Sequence, residues 1–139
     1  MRYENNQKVL IIEDDYVNFM LLKDNLKKFN IRLIRAINIT DALVLLSKHE
    51  ISHIIFSLTG FHNNLIINSF VGSIKSTPLL YIEKYDVLNR FDGRIPALYD
   101  RANVVLSESI AYAEIEDYFN ELLFESPRLK KRNRLALSF

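Results

Sequence analysis

Short, fully apolar segments alternate with longer amphipathic segments along this chain, and this alternation limits the fold more than any other feature. A continuous apolar run indicates a strand buried on both faces, while apolar residues at helical spacing indicate a helix with one buried face. Strands are predicted at 8–12, 31–36, 53–58, 78–82 and 103–106, with a helix after each. The pattern predicts the α/β class, with a five-stranded parallel sheet in a three-layer α/β/α, doubly wound fold.

Composition excludes several classes of protein. The three glycines form no phosphate-binding motif, and the absence of cysteine excludes disulfides and thiolate chemistry. His49, His53 and His62 lack the spacing of metal ligands, so we expect them to be structural or exposed. No apolar run approaches the length of a membrane span and no signal-peptide pattern opens the chain, so we expect a cytoplasmic protein.

Charge is distributed unevenly along the chain. Residues 128–139 carry five basic side chains and no acidic one, whereas residues 1–127 are acidic overall. We therefore predict one domain over residues 1–127 and a basic tail over 128–139. The tail is expected to be a mobile end or the start of a linker. The alternatives are docking on the acidic body or on a partner, and weak attachment to nucleic acid or an anionic membrane.

Polar residues follow the predicted strands at the edge where a doubly wound fold binds ligands. In such folds the site lies beyond the carboxyl ends of the parallel strands. The residues at these positions are 13–15, 57–60, 83–84 and 107–108. These four short segments are the candidates for a functional site.

The segment KVLIIEDDYVNFMLLKDNL, together with the PLLYI strand and the five strand–helix units, resembles the receiver domains of two-component response regulators. The resemblance covers roughly residues 8–125 and implies a flavodoxin-like fold and a role in phosphorelay signalling. In receivers an acid pair after the first strand holds Mg²⁺, a hard cation that prefers oxygen ligands. Glu13 and Asp14 fill that position here, so the resemblance implies a Mg²⁺ site at these two residues.

The same resemblance reveals departures at the positions that perform phosphoryl transfer. Ser57 stands where receivers have the phosphoacceptor aspartate, Glu83 where they have a hydroxyl residue, and Glu108 where they have a lysine. A serine without an adjacent base is a weak nucleophile, and extra carboxylates would repel a phosphoryl group. We therefore expect a degenerate phosphorylation pocket that is too negative to be phosphorylated on aspartate. It comprises Glu13, Asp14, Ser57, Glu83 and Glu108.

Each pocket residue also has a purely structural interpretation. The acidic residues at 13–15 can serve only to cap a helix, Ser57 can satisfy backbone groups at a strand end, and both Glu83 and Glu108 can point to solvent. If the carboxylates instead converge, one of them should have a raised pKa or the group should bind a divalent cation.

Aromatic and arginine residues in the second half of the chain suggest a surface for binding another protein, since both types are enriched at interfaces. The candidate interface residues are Tyr85, Arg90, Arg94, Tyr99 and Tyr112.

We expect no enzyme activity, but a phosphorylation-independent interaction or dimerisation module. Its partner would be a signalling protein such as a histidine kinase or an output domain, and not nucleic acid. Two alternatives remain open: a working phosphorelay receiver with an unusual acceptor and a divalent metal, and a nucleic-acid-binding protein acting through the tail.

Overall fold

In the computed structural model, residues 7–58, 63–84, 94–124 and 132–133 are described. The strands are β1 (Lys8–Ile12), β2 (Arg32–Ala36), β3 (His53–Phe56), β4 (Leu79–Glu83), β5 (Val104–Ser107) and β6 (Arg132–Asn133). The helices are α1 (Tyr16–Leu26), α2 (Ile39–Lys48), α3 (Asn64–Ile74), α4 (Pro96–Arg101) and α5 (Glu108–Phe124).

All the strands are parallel and lie in the order β2-β1-β3-β4-β5-β6. The order reverses between β1 and β3, so the carboxyl ends of these two strands flank the switch point at which doubly wound folds bind ligands. The prediction of an α/β fold with five parallel strands between helical layers is confirmed for the strands β1 to β5.

The basic tail departs from its prediction at two residues. Arg132 and Asn133 form β6 and pair with Val104 and Val105 of β5, so they extend the sheet to six strands instead of belonging to a free end. A parallel neighbour satisfies backbone groups that an edge strand would otherwise expose. The boundary drawn at residue 127 stays a prediction, and residues 128–131 and 134–139 lie outside the described residues.

The sheet separates two apolar cores, as the continuous apolar strands predict. One core lies between the sheet and α1 and α5, where Leu22, Ile115 and Phe119 are buried. The other lies beneath α2, α3 and α4, around Phe56, Phe70 and other side chains. Because alternate strand residues enter alternate cores, the middle residues of β1, β3 and β4 are all apolar, and polar residues occur only at the strand ends.

Helix starts follow the polar residues that end the strands and loops. Asp15 accepts hydrogen bonds from the backbone of Val17 and Asn18 and begins α1. Asn38 and Asn63 cap α2 and α3 in the same way. Such caps satisfy backbone N–H groups that the first helical turn leaves unpaired. They place the start of each of these helices beside the carboxyl edge of the sheet.

Candidate functional site

Three residues from adjacent strands come together at the carboxyl edge of the sheet. Glu13 follows β1, Ser57 follows β3 and Lys84 follows β4, and these strands are neighbours in the order β1-β3-β4. The backbone N–H of Ser57 donates to the Ile12 carbonyl at 2.8 Å, which continues the ladder one residue beyond the strands. This pairing fixes where the Ser57 side chain leaves the backbone.

The Glu13 carboxylate is the centre of this cluster. Its Oε1 accepts hydrogen bonds from Ser57 Oγ at 2.6 Å and from Lys84 Nζ at 2.9 Å, and its Oε2 accepts one from the backbone N–H of Asp15 at 3.0 Å. The side chains of Glu13 and Lys84 are 0% and 3% exposed, and Ser57 is fully buried. A buried charge is tolerated only when it is paired and hydrogen-bonded, and both conditions are met here.

Asp14 and Asp15 do not join this buried cluster. Both are exposed, and Asp15 uses its carboxylate to cap α1. Arg35 holds the backbone of this turn by donating Nε to the Glu13 carbonyl and Nη2 to the Asp14 carbonyl, both at 3.1 Å. Its guanidinium also lies over the ring of Tyr16, 5.6 Å from the centroid. The capping interpretation of the acidic run therefore fits Asp15, while Glu13 has a different environment.

Glu83 forms a second, separate ion pair. It is the last residue of β4 and is buried, and Arg94 donates to both of its carboxylate oxygens, Nη2 to Oε1 at 3.2 Å and Nε to Oε2. The Arg94 guanidinium also stacks over the Tyr99 ring, 4.0 Å from the centroid. The interpretation that Glu83 points to solvent is wrong.

Glu108 is the first residue of the helix α5. It is half-buried, and the residue paired with Glu83 across β4 and β5 is Ser107. The pKa of Tyr112 is raised to about 12, mainly by burial and further by the negative charges of Glu13, Glu108 and Asp15. The Tyr112 hydroxyl therefore lies within the electrostatic influence of all three carboxylates.

The expectation of an overly negative pocket is wrong. Lys84 lies among the candidate strand-end positions, but its place in the sequence assigns it no role and does not indicate the pairing of Arg94 with Glu83. The two cations neutralise the two buried carboxylates. The absence of an aspartate at position 57 stands, because it is a property of the sequence.

The residues present do not fit a divalent cation at Glu13 and Asp14. Mg²⁺ requires a near-octahedral set of oxygen ligands, whereas both Glu13 oxygens already accept hydrogen bonds and a Lys ammonium lies beside one of them. Among the described residues, no group of three or more His, Asp or Glu side chains is arranged to hold a metal ion.

Among the predicted interface residues that the structure describes, Arg94 and Tyr99 contact each other beside Glu83. Tyr112 lies on α5 and packs against the other apolar core from Tyr99. Tyr85 and Arg90 lie outside the described residues. The role of these side chains in binding a partner stays a prediction.

Comparison with known proteins found a fold and no sequence family. No family model matches the chain, and no curated protein matches it. Among solved structures, it is similar to the signal receiver domain of an HD domain-containing protein from Pseudomonas fluorescens Pf-5. The two share 18% identity over 88% of this chain and 90% of that chain, with a TM-score of 0.67.

Two further solved structures are similar over nearly their whole length. A putative response regulator from Chloroflexus aurantiacus is 20% identical, with a TM-score of 0.63 and 85% and 98% of the two chains covered. Response regulator protein TrrA from Thermotoga maritima, in complex with Mg²⁺ and BeF, is 17% identical with a TM-score of 0.63, covering 84% and 99%. The chain has the receiver-domain fold. In its described part, no helix combines the length and the apolar character needed to cross a membrane.

Proposed function

We propose that this chain is an atypical receiver domain of two-component signalling, which acts in the cytoplasm by binding another protein and does not depend on aspartate phosphorylation. The proposal rests on one observation: the side chain at the end of β3 is the buried hydroxyl of Ser57, hydrogen-bonded to a carboxylate that is itself paired with Lys84. In the receivers that this fold resembles, that position carries the phosphoacceptor aspartate. We propose no enzyme activity for the domain.

Two features of Ser57 argue against acyl phosphate formation. Its hydroxyl oxygen can form a phosphate ester but not the mixed anhydride that a carboxylate nucleophile forms. The side chain is fully buried, so a phosphodonor cannot reach the oxygen in line without opening the cluster. Both features support a domain whose signalling output is independent of phosphorylation.

The similar structure of TrrA supplies a useful contrast. That protein was solved in complex with Mg²⁺ and BeF. In the present chain the corresponding edge of the sheet carries Glu13, Ser57 and Lys84 joined by hydrogen bonds. Because these side chains are hydrogen-bonded to one another, few of their oxygens are free to bind a cation and there is little space for a phosphoryl group. This supports a function in which the domain binds its partner through a surface that phosphorylation does not change.

The natural partners of such a surface are a histidine kinase, an output domain or a second copy of the chain. Receivers signal through protein–protein contacts, and an interaction module keeps that use of the fold when the chemistry is absent. Tyr99 and Arg94 lie side by side, and both residue types are enriched at protein interfaces.

The decisive experiment is incubation with acetyl phosphate and Mg²⁺, followed by intact-mass measurement. The wild-type protein should gain no phosphoryl adduct, and ¹⁵N-NMR spectra should not change when beryllofluoride and Mg²⁺ are added. A receiver with an intact acceptor aspartate serves as the positive control, and Ser57→Ala identifies any adduct carried by the serine.

One alternative has an observation in its favour. Ser57 Oγ donates to Glu13 Oε1 at 2.6 Å, so the serine does have a carboxylate beside it that can accept its proton. A phosphorelay acceptor of this kind would give a phosphate ester that is stable to hydroxylamine, unlike an acyl phosphate. An adduct lost in Ser57→Ala would replace our proposal with this alternative. A hydroxylamine-sensitive adduct would overturn both.

A further inference from the structure

The outer side of α1 exposes apolar side chains on two consecutive helical turns. Four of them are between 38% and 65% exposed: Tyr16, Val17, Met20 and Leu21. We call these four residues the α1 face. The opposite side of the helix is buried through Leu22 and Leu26. A monomer rarely exposes a contiguous apolar patch, and such a patch marks a place where another surface binds.

Charged side chains of opposite sign flank the α1 face at its two ends. The exposed acids Asp14 and Asp15 directly precede the helix. The exposed bases Lys23 and Lys27 lie in its last turn and just after it. The face is therefore apolar in the middle, acidic at the amino end and basic at the carboxyl end.

Neighbouring charges reduce this difference without removing it. At the acidic end, Arg35 donates Nη2 to the backbone carbonyl of Asp14 at 3.1 Å and so places one positive charge nearby. At the basic end, Asp24 pairs with Lys27 at 3.1 Å. Two acids still outnumber one base at the first end, and Lys23 keeps the second end positive.

We propose that the α1 face binds the α1 face of a second copy of this chain, with the two helices packed antiparallel about a twofold axis. The inference deepens the proposed function and rests on it, because it names the partner of a domain that acts through protein–protein contact. None of the interface residues suggested by the sequence belongs to α1.

Antiparallel packing satisfies both the apolar residues and the charges. A twofold axis midway between Val17 and Met20 brings these two residues opposite each other, and it pairs the outer two members of the α1 face in the same way. The same axis sets Asp14 opposite Lys23 at both ends of the helix pair. Parallel packing would instead bring like charges together at each end, which opposes association.

Arg35 orders one side of the α1 face before any partner binds. Its guanidinium lies over the rings of Tyr16 and Phe19, 5.6 and 5.4 Å from their centroids. A side chain that is already held loses less conformational entropy when a second surface covers it. The largest side chain of the face is therefore pre-organised for contact.

The exposed apolar residues of α3 show why charge matters to this assignment. Leu65 and Ile66 are 78% and 43% exposed, but α3 contains no charged residue. A patch of this kind has nothing in its own helix to select an orientation or a register. The α1 face has both an apolar centre and charged ends, so its own copy is a complementary partner.

Sedimentation velocity of the full chain tests the association. The α1 face is smaller than the roughly 800 Å² per partner of a standard complex, so we expect a weak dimer with a Kd on the order of 0.1 mM. The average mass should rise from 16.3 kDa towards twice that value as the concentration increases through this range. Val17→Glu buries one charge from each copy and should raise the Kd at least about tenfold. Leu65→Glu, at a similarly exposed apolar position of α3, should leave the Kd unchanged.

A single introduced cysteine reports where the two copies meet, since the chain has no cysteine of its own. Position 20 lies beside the proposed axis, so Met20→Cys should form a disulfide-linked dimer at least about tenfold faster than Val44→Cys on α2. The two replaced side chains are 38% and 45% exposed, so exposure does not favour the position on α1.

Charge exchange tests the orientation of the helices. Asp14→Lys and Lys23→Glu each place like charges opposite each other at both ends of the dimer. Each should raise the Kd roughly fivefold, because a modest surface pair is reversed twice. A chain that carries both substitutions has its two ends exchanged and should regain the wild-type Kd.

Three results overturn the proposal. The first is a wild-type chain that stays monomeric at about ten times the expected Kd. The second is equal crosslinking at positions 20 and 44, and the third is a double charge variant that associates more weakly than both single variants. None of these measurements involves a phosphodonor, so failure here is distinguishable from failure of the proposed function, which an acetyl-phosphate adduct would reveal.

Discussion

In the described part of the chain, buried titratable side chains have a charged partner at the carboxyl ends of the central strands and none at the amino end of β3. At the carboxyl end, Glu13 and Lys84 are buried as an ion pair. At the amino end, His53 is buried against the edge of the Phe119 ring, and its Nδ1 has no hydrogen-bond partner among the described residues. Burial alone lowers the pKa of His53 from 6.5 to about 4. A buried group keeps its charge when a partner is supplied and loses it when none is.

Within the carboxyl end, the two ion pairs also differ from each other. The pair of Glu13 with Lys84 is sealed from water, whereas Arg94 leaves 35% of its side chain exposed while it holds Glu83. Water can replace a lost partner in the second pair but not in the first. Breaking the pair of Glu13 with Lys84 should therefore cost more unfolding free energy than breaking the pair of Glu83 with Arg94, although each consists of one carboxylate and one cation.

The largest effect is expected from Glu13→Gln. This change leaves the Lys84 ammonium buried beside a neutral amide, and breaking a buried pair in this way costs about 3–5 kcal/mol of unfolding free energy. Urea unfolding followed by circular dichroism measures it. A loss below about 1 kcal/mol would mean that Lys84 reaches water easily and that the pair is not sealed.

Acid should lower the unfolding free energy by a comparable amount, through His53 at the amino end of β3. The pKa of His53 is lower in the folded state than in the unfolded chain. The stability that depends on a neutral His53 is therefore fully present above pH 6.5 and is lost as the pH falls from 6.5 towards 4. The expected loss approaches about 3 kcal/mol, since each unit of pKa shift corresponds to about 1.4 kcal/mol.

Replacing His53 by Leu tests that assignment. The slope of unfolding free energy against pH between 6.5 and 4 should become shallower in His53→Leu than in wild type. His49→Leu, which removes a half-buried histidine outside β3, should leave the slope unchanged. Equal slopes in wild type and His53→Leu would show that other groups cause the acid sensitivity.

A smaller effect is expected from Glu83→Gln at the partly exposed ion pair. Arg94 can turn towards water when its carboxylate partner is lost, so we expect a cost of about 1 kcal/mol, and less at high salt. The same urea series measures it beside Glu13→Gln. A cost equal to that of Glu13→Gln would remove the distinction between the sealed and the open pair.

The smallest effect should come from Tyr112→Phe. The Tyr112 hydroxyl is buried without a hydrogen-bond partner among the described residues, and it lies near the negative charges of Glu13 and Glu108. Removing an unsatisfied hydroxyl should change the unfolding free energy by less than about 1 kcal/mol, in the stabilising direction. A clear destabilisation would show that the hydroxyl has a partner in solution.

Most of the fold was predictable because its signals are local. The apolar segments at 8–12 and 78–82 led to β1 and β4 within one residue at each end, and Asp15 caps α1 as the acidic run at 13–15 suggested. The tail was harder, because nothing in its basic composition indicates that Arg132 and Asn133 pair with β5. Pairing between strands that are far apart in the sequence depends on which edge strand of the folded sheet is unpaired, and residue type does not reveal this.

The membership of the site was predictable only in part, and its charge was not: Asp14 lies exposed outside the buried cluster, and Glu83 pairs separately with Arg94. Ser57 and Glu13 lie at the strand ends where sequence reasoning located them, and Lys84 was among the positions considered. Its partner could not be inferred, since Glu83 and Lys84 are adjacent in the chain yet pair with Arg94 and Glu13. Successive residues of an extended segment project to opposite sides, so neighbours in sequence meet different surroundings.

The amino-acid sequence alone determined that strands alternate with helices and that position 57 carries a hydroxyl in place of a carboxylate. These properties depend on residue type and short-range spacing. The tertiary structure alone decided that the pocket is neutralised, because Lys84 and Glu13 are 71 residues apart and meet only when β1, β3 and β4 align. The charge of a buried site depends on which side chains share its volume, and folding brings those side chains together from distant parts of the chain.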